Sequence, residues 1–320
     1  MKKATFITII AALLLIVSCN VDSEHGIYYK VATSQASSGI NIIKALGFSE
    51  GSPDIHYFLT DDGICTTSNT QGDTRYIEGS QGKNIRGAYL QFSSMYYYYS
   101  NAEGKVYKLY ATGESELVPR YANGKFEVSS NGFAYNKKQY SFIDAEVIND
   151  ATISNPRFSG SSMLSMEGTT KALIYKASNE AQTITGLTAS ATGFAVSQDE
   201  EYYYIFNGKN IYKVEVTPGE ETALGDAIYS GLGTAPTGGY TAVEYSIDDD
   251  DFLLVRTASG FTKIDVSSRS ASTVSFLSDL NDVVVIDMYV VGDGKIAIVT
   301  YENGIHIADM VNSKLSDDIL

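Results

Sequence analysis

The chain has 320 residues, 44% of them hydrophobic, enough for a sizeable core. Its formal net charge of −15 repels phosphate backbones, which excludes nucleic acid as the expected partner. Twenty-four tyrosines, 13 phenylalanines, no tryptophan and only 5 prolines suit half-buried pleated surfaces; with no long 3.6-residue periodicity beyond the first twenty residues, the chain reads as all-β.

Residues 1–18 read M-K-K-A-T-F-I-T-I-I-A-A-L-L-L-I-V-S. Two lysines, an apolar run from Ala4 to Val17 and a small residue make the layout of a secretory signal peptide. The run is shorter than the ~20 apolar residues a spanning helix needs. Ile16-Val17-Ser18-Cys19 resembles the bacterial lipoprotein lipobox. The resemblance implies cleavage before Cys19 and acylation of Cys19, which makes it the expected lipid-attachment site, with palmitate-like chains as the membrane anchor. Each buried acyl CH₂ contributes roughly 0.8 kcal/mol, so several chains hold firmly. In well-studied two-membrane bacteria an Asp after the lipidated Cys favours the inner membrane, so Asn20 points to the outer one. Residues 19–25 then form a short polar tether to a domain expected over residues 26–320. Cys65 is left without a disulfide partner and reads as a small buried strand residue.

Residues 26–32 (G-I-Y-Y-K-V-A) read as a lone strand. After it one grammar recurs: apolar strand, acidic or Gly turn, apolar strand, Gly/Asn turn, third strand, polar turn, short last strand. The first unit centres on residues 56–64 and ends at Tyr76-Ile77; the second spans 88–118 and the third 125–148. The fourth, the least clear, has strands at 163–166, 172–175 and 182–184. The fifth is the clearest, with strands predicted at 193–197, 202–206, 210–216 and 221–224. Its turns are Gln198-Asp199-Glu200, Asn207-Gly208-Lys209 and Pro218-Gly219; Asn-Gly between apolar runs marks a tight hairpin. The sixth has strands at 240–246, 252–256, 261–266 and 273–277, and the seventh at 283–291, 295–300, 305–310 and 314–315.

Third strands begin at Ile64, Lys105, Gln139, near Lys171, and at Asn210, Phe261 and Ile305. Their spacing averages about 40 residues, the period of propeller blades. The second strands at 96–99, 202–206, 252–255 and 296–299 are continuous apolar or aromatic runs, which predicts cover on both faces, as between two neighbouring blades. The tyrosine runs have a second reading as a sugar-stacking platform. Val196-Ser197-Gln198-Asp199, Tyr202-Tyr203-Tyr204-Ile205, Asn207-Gly208 and Ile211-Tyr212-Lys213-Val214 resemble a TolB-type, YVTN-type or WD-repeat-like propeller repeat. The match recurs at Tyr245-Ser246-Ile247-Asp248 and at residues 292–308. The resemblance implies a β-propeller, read here as seven blades of four antiparallel strands with six or eight left open. A ring must close or expose edges, so residues 26–32 are expected to pair with the seventh unit.

His25, His56 and His306 are the only histidines. The last two fall on the first and seventh units, neighbours in a closed ring, but at no metal-motif spacing and with no marked nucleophile. Residues 248–251, all Asp, lack the EF-hand order and read as a solvated turn, as do Asp61-Asp62-Gly63 and Gly292-Asp293-Gly294. The expectation is therefore no catalytic, cofactor or metal residue. It is a noncatalytic scaffold held at the membrane through Cys19, binding envelope proteins. The alternatives are a propeller hydrolase or lyase using loop carboxylates on a glycan or ester, and a glycan-binding protein.

Overall fold

The computed structural model describes residues 40–51, 53–68, 74–91, 96–101, 105–110, 112–117, 126–129, 132–135, 138–140, 147–149, 154, 156–159, 162–176, 181–302, 304–317 and 319. Cys19, Asn20, His25 and the strand expected at 26–32, with its ring-closing role, lie outside them. The chain from Asn41 to Leu320 forms one compact unit.

This unit is a β-propeller, with almost no helix among the described residues. The first sheet holds β1 (Ile42–Ser49), β2 (Ile55–Thr60), β3 (Ile64–Ser68) and β4 (Arg75–Tyr76). The second holds β5 (Gly87–Gln91), β6 (Tyr96–Ser100), β7 (Val106–Leu109) and β8 (Ser115–Leu117). The third holds β9 (Phe126–Ser129), β10 (Gly132–Tyr135), β11 (Lys138–Tyr140) and β12 (Val147–Asn149). The fourth holds β13 (Arg157–Ser159), β14 (Ser162–Glu167), β15 (Lys171–Tyr175) and β16 (Gln182–Thr185). The fifth holds β17 (Gly193–Val196), β18 (Tyr202–Asn207) and β19 (Asn210–Glu215); β20 (Glu221–Ala223) follows in the chain, and β21 (Tyr229–Ser230) completes that sheet. The sixth holds β22 (Thr241–Ile247), β23 (Asp250–Thr257), β24 (Gly260–Asp265) and β25 (Ala271–Thr273). The seventh holds β26 (Val285–Gly292), β27 (Lys295–Thr300), β28 (Ile305–Asp309) and β29 (Lys314–Leu315). Six of these sheets are four-stranded and antiparallel; the fourth carries an added strand.

Each third strand starts within one residue of its predicted position. Four of the second strands are buried on both faces: β2, β18, β23 and β27 each end in five consecutive buried residues. Apolar clusters fill the spaces between adjacent sheets. Tyr204 and Phe206 of the fifth sheet pack with Leu253 and Val255 of the sixth. Tyr203 and Ile205, on the opposite face of β18, pack with Leu164 and Ile174 of the fourth. The tyrosine runs are thus core: Tyr97, Tyr99, Tyr203 and Tyr204 are buried, which removes them as a sugar-stacking platform.

Two predicted elements are corrected and two strands are added. Residues 221–224 do not close the fifth sheet. β20 instead leaves it and pairs in parallel with β16 of the fourth, Thr183 opposite Glu221 and Thr185 opposite Ala223. The side chain of buried Gln182 holds this exchange. Its amide donates to Glu215 O and Thr222 Oγ1, and its oxygen accepts from Thr217 N. In the sixth sheet the last strand ends at Thr273, and a 3-10 helix, Ser275–Leu280, buries Leu277 and Leu280. The first and fourth sheets also gain inner strands, β1 and β13, that their sequence patterns had not marked.

Turn chemistry explains the hairpins. Asp248 and Asp249 both have positive φ (51° and 68°), the tight two-residue geometry that Asp tolerates, so the aspartate run is a hairpin turn. In the fifth sheet Ser197 Oγ donates to Asp199 Oδ1, which also accepts from Glu201 N. At the opposite end of the blades a second device recurs. Thr60, Thr257 and Thr300, the last residues of β2, β23 and β27, are buried and donate their hydroxyls to Gly63 O, Gly260 O and Gly304 O. Each satisfies a carbonyl that the turn would otherwise orphan.

Candidate functional site

The first and last sheets meet along a seam. Ile42 N donates to Tyr301 O at 3.0 Å, and Tyr301 N to Val284 O at 2.9 Å. On the same seam Ile319 N donates to Ile305 O, while Ile319 O accepts from Thr67 Oγ1 at 3.3 Å. The last described residues thereby tie the seventh sheet to the first. His56, fully buried on β2, shares a 2.7 Å hydrogen bond between its Nδ1 and the hydroxyl of Tyr289 on β26. Phe48 packs against both rings. His306 Nδ1 instead pairs with Ser316 O, so the two histidines serve separate contacts. Among the described residues no group of three His, Cys, Asp or Glu side chains is placed to hold a metal ion.

The inner strands bring polar side chains to the axis. Lys44 of β1 extends its Nζ to 5.3 Å from the ring centroid of Phe158, which belongs to β13 of the fourth sheet. A side chain from one sheet thus reaches a ring three sheets away, so it spans the axis. Asp287 of β26 feels the same ammonium. Its carboxyl is partly open to solvent yet enclosed by protein. Enclosure pushes its pKa up to about 6, against the opposing pull of the Met288 N–H and Lys44. Burial likewise raises Tyr289, and the Asp287 charge adds to this.

Arg157, at the start of β13, donates from Nε to Ala191 O and from Nη1 to Gly238 O, both at 3.0 Å. It therefore fastens the loops that lead into β17 and β22, and burial lowers its pKa. Gly239 makes this approach feasible. Its φ is +107°, and a Cβ there would sit 2.2 Å from Thr192 O and 2.6 Å from Arg157 Nη1.

Between the fifth and sixth sheets lies buried Glu244 of β22. It accepts from the Tyr204 hydroxyl and from Gln198 N at 2.7 Å, and burial raises its pKa. Cys65, fully buried on β3, has its thiol pushed up to about 12, chiefly by burial, which matches a structural cysteine. Asp61, Asp62 and Asp293 stand at turns, as expected. Asp62 Oδ2 accepts from Gln81 Nε2, and Asp61 Oδ2 from Asn41 Nδ2.

Sequence reasoning missed Arg157, Lys44, Asp287 and Glu244. Each is the only charged residue on its strand. A polar interruption at an inner-strand position was the one signal that could have marked them.

No protein-family model matches the chain, and no curated protein does. Solved structures match in fold. Hsv2 of Kluyveromyces lactis aligns with TM-score 0.60 at 5% identity, over 82% of this chain and 92% of that one. Hsv2 of Kluyveromyces marxianus aligns with TM-score 0.57 at 9% identity, over the same 82% and 92%. PorZ of Porphyromonas gingivalis, described as an essential bacterial surface component of the type-IX secretion system, aligns with TM-score 0.52 at 10% identity. That match covers 88% of this chain but 38% of PorZ. At these identities the likeness shows the β-propeller fold alone.

Proposed function

We propose that the protein is a noncatalytic binding scaffold, lipidated at Cys19 and held in the outer membrane of a bacterial envelope, where its propeller engages protein partners. One observation carries the reading of the domain: the chemistry-bearing side chains near the axis are engaged with one another or with backbone. His56 is bound to Tyr289, Lys44 lies between Phe158 and Asp287, and Arg157 is anchored on two carbonyls. Such engagement builds a rigid platform. The lipobox-like Ile16-Val17-Ser18-Cys19 supports the anchor. A propeller in a described bacterial surface component, PorZ, is compatible with this setting.

The test is crosslinking and co-purification of the full-length protein from its native membranes, beside Cys19→Ala. One envelope protein recovered reproducibly, and reduced with the unlipidated variant, is the expected result. Recovery of no partner in either form would overturn the scaffold reading. Metabolic labelling with a palmitate analogue tests the anchor itself, and label retained by Cys19→Ala would refute it.

One observation favours a second reading, a propeller hydrolase or lyase. Asp287, with its raised pKa, shares an enclosed site with an ammonium group. That reading requires turnover of a glycan or ester that is lost in Asp287→Asn.

A further inference from the structure

Five large apolar side chains are exposed among the described residues, and three of them, Ile43, Val284 and Tyr301, gather at the seam of the first and seventh sheets. Their backbones form one hydrogen-bonded ladder: Val284 O accepts from Tyr301 N, and Tyr301 O from Ile42 N, next to Ile43. The ladder is rigidly supported. Thr300 caps the turn that carries Tyr301. From beneath, the buried Arg256 guanidinium grips the segment before Val284 by donating to Asn281 O and Val283 O. An exposed apolar cluster on a preformed backbone is the usual core of a docking surface.

The surroundings specify the partner's charge. The loops that frame the cluster, residues 60–63, 274–284 and 300–302, carry Asp61, Asp62, Asp279, Asp282 and Glu302, all exposed, and no Lys or Arg; the exposed Lys83 and Arg86 stand on the loop behind Asp62, whose Gly82 N donates to Asp62 O. Asp61 is fastened to the ladder's first residues, since Asp61 N donates to Asn41 O and Asn41 Nδ2 to Asp61 Oδ2. Residues 26–32, expected from the sequence to pair with the seventh unit, lie outside the described residues; of the remaining occupants, two fit this rim poorly. An anionic bilayer surface would be repelled by five carboxylates. A second copy of a chain with net charge −15 would set the same acidic rim against itself.

We infer that this seam is a docking surface for a partner protein's segment in which lysine or arginine flanks aliphatic or aromatic residues. The apolar side chains cover Ile43, Val284 and Tyr301, and the flanking cations face Asp61, Asp282 and Glu302. The inference rests on the scaffold reading and assigns it a face and a partner chemistry.

The test uses the full-length lipidated protein in detergent and a fluorescent hexapeptide that alternates lysine with valine, phenylalanine or leucine, followed by anisotropy. Binding should weaken at least tenfold in Val284→Ser/Tyr301→Ser. It should weaken several-fold in Asp282→Asn/Glu302→Gln, which should also show a flatter salt dependence. Leu117→Ser, at an exposed apolar residue of the second sheet, should leave binding unchanged. An unchanged urea midpoint in each variant keeps folding out of the comparison. No binding, equal binding of a glutamate-for-lysine peptide, or variants that bind as tightly as the parent would overturn the inference. So would Val284-dependent dimerisation in sedimentation, or Val284-dependent binding of Cys19→Ala to anionic vesicles. A partner recovered from native membranes while the peptide fails would sink this surface and leave the scaffold standing.

Discussion

Buried polar side chains act in this protein as fasteners, and their removal should cost stability one residue at a time. Glu244 joins Tyr204 to Gln198 N across two sheets. Glu244→Ala orphans both donors and opens a cavity, so a loss of about 2–4 kcal/mol is expected from urea midpoints. Glu244→Gln can turn its amide to the Tyr204 oxygen and its carbonyl to Gln198 N, and should cost about 1 kcal/mol. Asp287 and Glu244 both have folded-state pKa values raised by burial. A carboxyl of this kind stabilises the fold fully below its unfolded pKa, and that contribution fades as pH rises through the folded value. For Asp287 the window runs from 3.8 to about 6. Stability should therefore fall across it by roughly 1–3 kcal/mol, and Asp287→Asn should flatten that slope in thermal melts taken at stepped pH. The Cys65 thiol, with its pKa near 12, should resist a disulfide reagent in the native state and react at once in urea. Reaction of the folded protein as fast as that of the protein in urea would contradict its burial.

At the scale of the element, the sequence was legible where a strand has two partners and blurred where it has one. β18, continuous and apolar or aromatic from Tyr202 to Phe206, and β27 announce themselves because both of their faces are covered. An outermost strand has one bonded neighbour and a short exposed pattern. β20 reads Glu-Thr-Ala and is mostly exposed; β21 has only two residues. Nothing in such segments says which sheet they join. The Pro218-Gly219 turn fits a return to β19 as well as a departure. Gln182 makes the choice: it binds the end of β19 at Glu215 O, the turn at Thr217 N and β20 itself at Thr222 Oγ1, and so holds the departing chain against the fourth sheet. Gln182→Ala is expected to cost about 1–3 kcal/mol and to release protection against hydrogen exchange at β16 and β20 together. Exchange that quickens at β20 alone would show that the two strands open separately. The candidate site was less legible than the fold for a related reason. Lys44, Phe158 and Asp287 lie on three inner strands, and only closure of the ring brings them to one axis.

For the whole molecule, closure among the described residues joins the seventh sheet to the first through the Ile42–Tyr301 backbone bond, the His56–Tyr289 pair and Ile319. Ile319 is buried, donates to Ile305 O and accepts from Thr67 Oγ1, so it links the seventh sheet to the first. Deleting residues 319 and 320 should lower stability by about 2–4 kcal/mol, read as an earlier, broader thermal transition. A sharp transition at the parent temperature would place closure elsewhere. The exchange of β20 acts on the opposite arc of the ring. A repeat that lends a strand to its neighbour no longer exists as a separable unit of inheritance. Propeller genes grow and shrink by copying or losing one blade, but here a cut between the fourth and fifth blades would leave one without its outer strand and the other with an unsupported segment. Those two blades must be duplicated, deleted or transplanted as a pair, and a circular permutant opened between residues 186 and 192 should fail where one opened in another inter-blade loop succeeds.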